Sequence, residues 1–371
     1  MALDYKRENQ LKNEKLTQNI SNDLPDYASI FLKYIFSNKS DTTVLSYARD
    51  LKQFFSYLNN DNPQNVEATT LNELKVIDIK NYERYLLKTE KLMGSTVKRR
   101  MSSIASLYKF LNATEYVNNN PMVNYDYPKA EDHDIIYLNE EQTKDLLLGI
   151  KSNSLKTIII DNDLKDIDVI EKSENEVNRD KQYVLRDYTI ALLILGSALR
   201  ISELVGLDIN DINFEENYLN AARKGRGTSI KRVYFGNEVK KTLLNYLDVK
   251  NTYGRKGLVK NKHENALFLN AWGKRLSVRS IQLMIKEAVF CYLPYMKNKN
   301  LITPHKLRST AATRMLFQTE DILLVSKQLD HSSPNVTAKF YAKLLENKEK
   351  EKVANLSVTN WNEASTDNNK K

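Results

Sequence analysis

Three stretches in the first third of the chain space their apolar residues three and four apart, and this alone commits the region to helices with one buried face. In "TTVLSYARDLKQFFSYL" (42–58) the stripe is Val44, Tyr47, Leu51, Phe54, Phe55 and Leu58. A second stretch, "VIDIKNYERYLL" (76–87), repeats the pattern. A third, "STVKRRMSSIASLYKFL" (95–111), aligns Val97, Met101, Ile104, Leu107 and Leu111, while Lys98, Arg99, Arg100, Ser102 and Ser103 are expected on its other side. A helix of that kind offers one side to a core and the other to phosphates.

The period fails at "NNNPMVNYDYPKAEDHD" (118–134), where two prolines and few aliphatics mark a linker. The expected division is therefore a polar, mobile arm over 1–22, a helical domain over 23–115, a linker over 116–135, a second domain over 136–350 and a polar tail over 351–371. The second domain opens on "LNEEQTKDLL", where Asn139 and Gln142 have the spacing of a capping box. Residues 152–185 are charged and weakly periodic, and read as an excursion from the domain surface. Next, "RDYTIALLILGSALRISELVGL" predicts an apolar helix, a break at Gly196 and a second helix entered through Arg200. "YLNAARKGRGTSIKRVYF" predicts a β-hairpin with a basic, Gly-rich tip. Further helices are expected at 237–249, 277–290, 304–317, 320–329 and 333–345. The fold class is mainly α with one small sheet, an α+β arrangement without internal repeats.

Charge narrows the partners. Lys and Arg number 56 against 47 Asp and Glu, a net charge of +9, and the excess is clustered. Residues 91–110 hold five basic residues and no acid, as do residues 223–232. Each run alone reads as a solvated face, but several runs interleaved with Tyr, Ser and Thr suggest a polyanion partner. The single Cys291 cannot form an internal disulfide, which fits a reducing compartment. No apolar run approaches the roughly 20 residues that span a bilayer, and "MALDYKRENQLKNEK" has no signal-peptide core. These features predict a soluble, intracellular protein. With four histidines and one cysteine, a structural zinc site is not expected.

"TPHKLRSTAATRM" (303–315) suggests chemistry. Thr303 is a good N-cap, Pro304 suits the first helical position, and His305 and Arg308 fall three residues apart at a helix start, where partial positive charge attracts anions. Arg200, Lys224, His331 and Tyr341 are further candidates. Each has an ordinary reading: an arginine salt-bridged to Glu203, a hairpin-turn lysine, a helix-capping histidine, one tyrosine among 21.

Taken in order, "SALRISELVGLDINDI", "RKGRG" on a hairpin, "TPHKLRSTAATRML" and "LDHSSPNVTAKFY" resemble the successive boxes of the tyrosine recombinases, or phage-integrase family. "NPMVNYDYPK", "ALFLNAWGKRLSVRSIQLMI" and the basic helical region from about 24 to 115 resemble it too, so the likeness covers most of the chain. It implies an N-terminal helical core-binding domain of SAM-like type and a C-terminal catalytic domain, clamped around duplex DNA. It also implies that Arg200 and Arg308 grip the scissile phosphate, that Lys224 is the hairpin lysine, that His305 and His331 are the histidine-box residues, that Glu203 is the acidic partner, and that Tyr341 is the nucleophile. Lys98, Arg99, Arg100, Ser102, Arg223, Arg226 and Lys306 are the expected DNA-binding residues. Three positions depart from the family pattern: Asp330 stands where Gly is usual, Ser309 where many members have His, and "AKL" follows Tyr341 in place of a further His. Aspartate tolerates the positive φ that such a glycine serves better than most residues do.

The chemistry fits those residue types. Two guanidiniums and histidine donors neutralise the non-bridging oxygens of a phosphodiester and favour a five-coordinate transition state. A phenol of pKa near ~10 needs a positive environment to ionise, and a hairpin lysine can protonate the leaving 5′ oxygen. The resemblance implies a covalent 3′-phosphotyrosyl intermediate whose bond energy is kept, so no ATP, metal or other cofactor is expected. It further implies two inverted half-sites on double-stranded DNA, a dimer per site and a homotetramer in the synapse. The tail beyond Tyr341, with Leu344, Leu345, Val353, Leu356 and Trp361, would contact a neighbouring protomer. Within the family the chain most resembles the Xer type, which resolves chromosome dimers with a septal DNA translocase as partner, in the cytoplasm at the nucleoid. The integrase or excisionase of a mobile element is the alternative. A relaxing type IB-like topoisomerase and a catalytically silent DNA-binding regulator are further ones.

Overall fold

The computed structural model describes residues 2–60, 62–128, 135–152, 156–160, 167–171, 174–222, 229–250, 265–270 and 272–330, with 338 and 342. The chain divides into two compact units, one of Met1–His133 with Ala222–Lys231 and the other of Asp134–Ala221 with Arg232–Lys371.

In the first unit the periodic stretches form α-helices. After α1 (Ala2–Ser21) come α2 (Asp26–Phe36), α3 (Asp41–Leu58), the short α4 (Ala68–Glu73), α5 (Val76–Lys88) and α6 (Gly94–Ala113). The α3 stripe buries Val44, Leu51, Phe54 and Phe55, with Tyr47 and Leu58 packed at its margin, and α6 buries all five expected residues completely. Rings fill the centre: Phe54 meets Tyr82 edge-on at 5.1 Å between centroids. Buried hydroxyls stay paired, Tyr27 donating to the Val66 carbonyl at 2.8 Å and Tyr108 to that of Leu71 at 3.0 Å. Ser40 caps α3 by accepting from the Thr43 amide.

The polar arm expected over 1–22 is a helix in the structure. Asn13 donates to Asp41 of α3 at 2.6 Å, Thr17 is buried and Ile20 packs on the core, while Leu11 stays exposed, so too few apolar residues recur on one face to announce the helix. Ser103, expected on the basic side of α6, is fully buried and donates to Asp50 at 2.8 Å.

The second unit begins with α7 (Glu140–Ser152), entered through the capping box seen in the sequence: Asn139 and Gln142 exchange backbone-to-side-chain bonds of 2.8 and 3.0 Å. The supposed surface excursion contains two antiparallel strands, β1 (Lys156–Ile160) and β2 (Ile167–Glu171), in register from Lys156↔Glu171 to Ile160↔Ile167. It also contains the first turns of α8 (Glu174–Ser197), which starts well ahead of the apolar run. From Thr189 to Leu195 every residue of α8 is buried, so this is the central helix, with α7, α10 (Asn237–Lys250) and α12 (Pro304–Thr319) packed around it.

The helix break falls at Ala198, with φ of 56°, and not at Gly196. Gly196 lies inside the last turn of α8 because α10 comes so close there that a Cβ would sit 2.5 Å from the Val239 Cγ2. After the break come α9 (Ile201–Gly206) and an antiparallel sheet in the order β3 (Ile212–Asn213), β4 (Tyr218–Ala222), β5 (Ile230–Tyr234). Next are α10, α11 (Val278–Tyr292), α12 and α13 (Ile322–Leu329). Pro304 occupies the first turn of α12, and Thr303 takes the N-cap position without a side-chain bond. Asp321 caps α13 by accepting from the Leu323 and Leu324 amides. The expected helix over 333–345 and the tail over 351–371 lie outside the described residues, apart from 338 and 342, which are helical.

Gly149 on α7 faces α11 so closely that a Cβ would meet the Tyr292 Cγ at 2.2 Å and its Cβ at 2.7 Å. The base of that ring cannot swing aside, so overpacking should outweigh the helix propensity gained. Gly149→Ala is expected to lose about 1–2 kcal/mol, read as a lower midpoint in urea unfolding.

Candidate active site

The turn after α8 sets the first arginine. Ala198 in the left-handed region redirects the chain, so that Arg200 becomes the N-cap residue of α9 and Glu203 falls in the first turn. The Glu203 carboxylate, 3% exposed, does two things at once. Its Oε2 accepts the Arg200 amide at 2.9 Å, closing the helix start, and its Oε1 accepts the Arg200 Nη1 at 2.8 Å. The Arg200 Nη2 donates to the carbonyls of Leu329 at 3.2 Å and Asp330 at 3.4 Å.

The second arginine comes from α12. Arg308 is 4% exposed and donates Nη1 to the Ala198 carbonyl and Nη2 to the Leu329 carbonyl, both at 2.5 Å. Its Nη1 also lies 4.0 Å from the Glu203 Oε2. Both guanidiniums thus reach the Leu329 carbonyl and share Glu203, although 108 positions separate them in sequence. Burial, and then the neighbouring Arg200 charge, push the Arg308 guanidinium down to about 10, with Glu203 and Asp330 opposing the fall. It remains a cation at neutral pH.

Carbonyl acceptors orient these groups. The carbonyls at the end of α13 face the arginines because Asp330 ends that helix with φ of 55° and ψ of 48°, the left-handed geometry anticipated for this position. Gln328 ties the neighbouring pieces, its amide nitrogen donating to Ser197 at 2.9 Å and to Tyr234 of β5 at 2.7 Å.

Among the expected catalytic residues, the structure brings Arg200, Glu203 and Arg308 together. His305 stands one turn before Arg308 on α12 and is exposed, and its carbonyl accepts the Ser309 hydroxyl at 3.1 Å. Lys306 is half-buried. Lys224, His331 and Tyr341 lie outside the described residues, as do Arg223 and Arg226. On α6, Lys98 and Arg99 are exposed, and Ser102 donates to the Lys98 carbonyl at 2.9 Å. Arg99 forks onto the buried Asp50, and Arg100 turns inward with its Nε 3.9 Å from the same carboxylate. Motif reading missed the Ala198 and Leu329 carbonyls, which hold the arginines of the second unit, and Asp50, which engages the basic side of α6 in the first. An aspartate one position before Leu51 in the α3 stripe was the only available signal.

Residues 166–348 match the phage integrase family profile, and residues 29–115 match the profile of the phage integrase N-terminal SAM-like domain. The tyrosine recombinase XerS of Streptococcus thermophilus (strain CNRZ 1066) is 30% identical over 345 residues, covering 85% of this chain and 91% of that one. The chain belongs to the phage integrase family, the tyrosine recombinases. As a tyrosine recombinase it cuts and rejoins DNA strands. The tyrosine recombinase XerC of Leptospira interrogans (serovar copenhageni) is 28% identical over 319 residues, covering 85% of this chain and 88% of its own length. In fold, the recombinase resembles the Tn1549 transposon integrase solved with circular intermediate DNA. The TM-score is 0.62 at 18% identity, over 85% of this chain and 95% of that one. It also resembles XerH bound to difH, with a TM-score of 0.53 at 17% identity, over 80% of this chain and 75% of that one.

Glu203 is the carboxylate on which the arginine pair depends. Glu203→Ala leaves partly buried guanidiniums without the acceptor that binds Arg200, and is expected to cost about 3–5 kcal/mol. Glu203→Gln keeps an acceptor for the Arg200 amide and should cost clearly less. Chemical denaturation of both variants checks the order.

Proposed function

We propose that this tyrosine recombinase is of the Xer type and resolves chromosome dimers by site-specific recombination. The observation that carries the chemistry is the convergence of Arg200 and Arg308 on Glu203 and the Leu329 carbonyl, which holds a half-buried and a buried cation side by side. The role is supported by relatives of the Xer name that match 85% of this chain and about nine-tenths of their own length.

In this reading the phosphodiester oxygens take their place beside the two guanidiniums, with His305 and His331 as further donors. The Tyr341 phenolate attacks phosphorus, a bond from its oxygen to phosphorus forms, and the bond to the 5′ oxygen breaks. The departing oxygen takes a proton from Lys224. The 5′ hydroxyl of a partner strand then attacks the phosphotyrosyl ester, the tyrosine leaves, and the number of phosphodiester bonds is unchanged. Burial of Arg308 matters because a desolvated cation interacts with a developing dianion more strongly than one in water does.

The helical domain over 23–115 adds DNA contacts through Lys98, Arg99 and Ser102, with Arg100 turned inward toward Asp50, and the catalytic domain over 136–350 through Arg223, Arg226 and Lys306, with 116–135 as the linker. A dimer occupies two inverted half-sites, and a tetramer forms the synapse, the tail exchanging contacts between protomers. The setting is the cytoplasm at the nucleoid, and a septal DNA translocase is the partner that the role calls for. No helix among the described residues is long and apolar enough to cross a membrane.

A nicked suicide duplex tests this. The wild-type chain is expected to form a covalent protein–DNA adduct, and Tyr341→Phe to bind the same duplex with unchanged affinity and form none. Mapping adducts on genomic fragments should return one chromosomal site with inverted half-symmetry. Adducts at the ends of a mobile element would replace the dimer-resolution role, and adducts without site preference would indicate a relaxing topoisomerase.

A further inference from the structure

Beside the two arginines stands a carboxylate that this chemistry does not use. The Asp330 Oδ2 lies 3.7 Å from the Arg200 Nη1, and its side chain is 15% exposed. The contact differs in kind from that of Glu203, which accepts two hydrogen bonds from Arg200 at 2.8 and 2.9 Å. At 3.7 Å the Asp330 carboxylate acts on Arg200 through charge and not through a formed hydrogen bond. Arg200 is fixed without it, because Nη1 is held by Glu203 and Nη2 by the carbonyls of Leu329 and Asp330.

The backbone at this position calls for a residue that tolerates φ of 55°. Glycine meets that demand most readily, and asparagine meets it as well as aspartate does. An aspartate here therefore adds charge where geometry alone would not require it. That charge changes the local sum. Arg200 and Arg308 contribute two positive charges, and Glu203 and Asp330 two negative ones that offset them. Without Asp330 the arginine pair would present one more unit of positive charge to an incoming phosphate.

We propose that Asp330 is a positioning residue that attenuates the site. Acting through Arg200, its carboxylate weakens the hold of the arginine pair on the DNA backbone, so that capture of the scissile phosphate depends on contacts made elsewhere along the duplex. The proposal rests on the recombinase reading above, in which Arg200 and Arg308 grip that phosphate. It makes Asp330 a specificity determinant, since a phosphate presented without the flanking contacts meets arginines whose charge a nearby carboxylate has weakened.

The test uses the full-length chain and single-turnover cleavage of a nicked suicide duplex, comparing wild type with Asp330→Asn and Asp330→Gly. Both variants keep a residue suited to the left-handed backbone, and both remove the charge. The DNA concentration giving half-maximal adduct is expected to fall about five- to tenfold in both, as the order of magnitude for one screened charge suggests. The maximal rate should change less, and the gap between wild type and variants should narrow as salt is raised. Equilibrium binding in a Tyr341→Phe background should show the same shift, a readout that a merely structural role would not produce. An unchanged or raised half-maximal concentration in both variants, with melting temperatures at the wild-type value, overturns the proposal. A wild-type chain that forms no adduct overturns the recombinase reading itself.

Discussion

Two guanidiniums held side by side repel each other and lose hydration, and the arrangement persists because one buried carboxylate and a few carbonyls answer both. Glu203 closes the start of α9 with one oxygen and pins Arg200 with the other, and the oxygen on the helix cap also faces Arg308. The Leu329 carbonyl accepts from both arginines, and the Ala198 carbonyl from Arg308. Three separate stretches are thereby tied to one point: the turn between α8 and α9, the first turns of α12, and the end of α13. What holds the chain together locally is also what concentrates positive charge for the reaction.

The left-handed residues are part of the same device. Ala198 and Asp330 both adopt φ near 55°, and each ends a helix so that carbonyls turn toward the arginines. A non-glycine residue in that region costs about 1 kcal/mol, a cost offset by the charged hydrogen bonds its carbonyl, or a neighbouring one, accepts. The first unit contains a parallel case. Asp50 is buried in the α3 stripe and collects Arg99 and Ser103 from α6, with Arg100 close by, so part of the basic face that a phosphate would meet is already engaged by an internal carboxylate.

Periodicity served well wherever a helix buries an apolar stripe. The faces of α3 and α6 follow from spacing, and so does the capping box at Asn139 and Gln142. It failed at α1, which Asn13 ties to Asp41 of α3 through a polar bond, and at Gly196, a glycine that serves close packing against Val239 and not a helix break. It also misplaced Ser103, because a serine beside a basic run looks exposed until the buried Asp50 that accepts its proton is known. Each failure has the same origin: the deciding partner lies far away along the chain.

The sequence by itself determined the mainly helical class, the basic faces, and the order of boxes that places this chain among the tyrosine recombinases, because side-chain type and local spacing carry that information. Only the tertiary structure decided which groups surround the arginines. The acceptors that orient Arg200 and Arg308 include backbone carbonyls, which every residue possesses and no motif can single out. Their direction depends on two left-handed turns, 132 positions apart, folding to the same place.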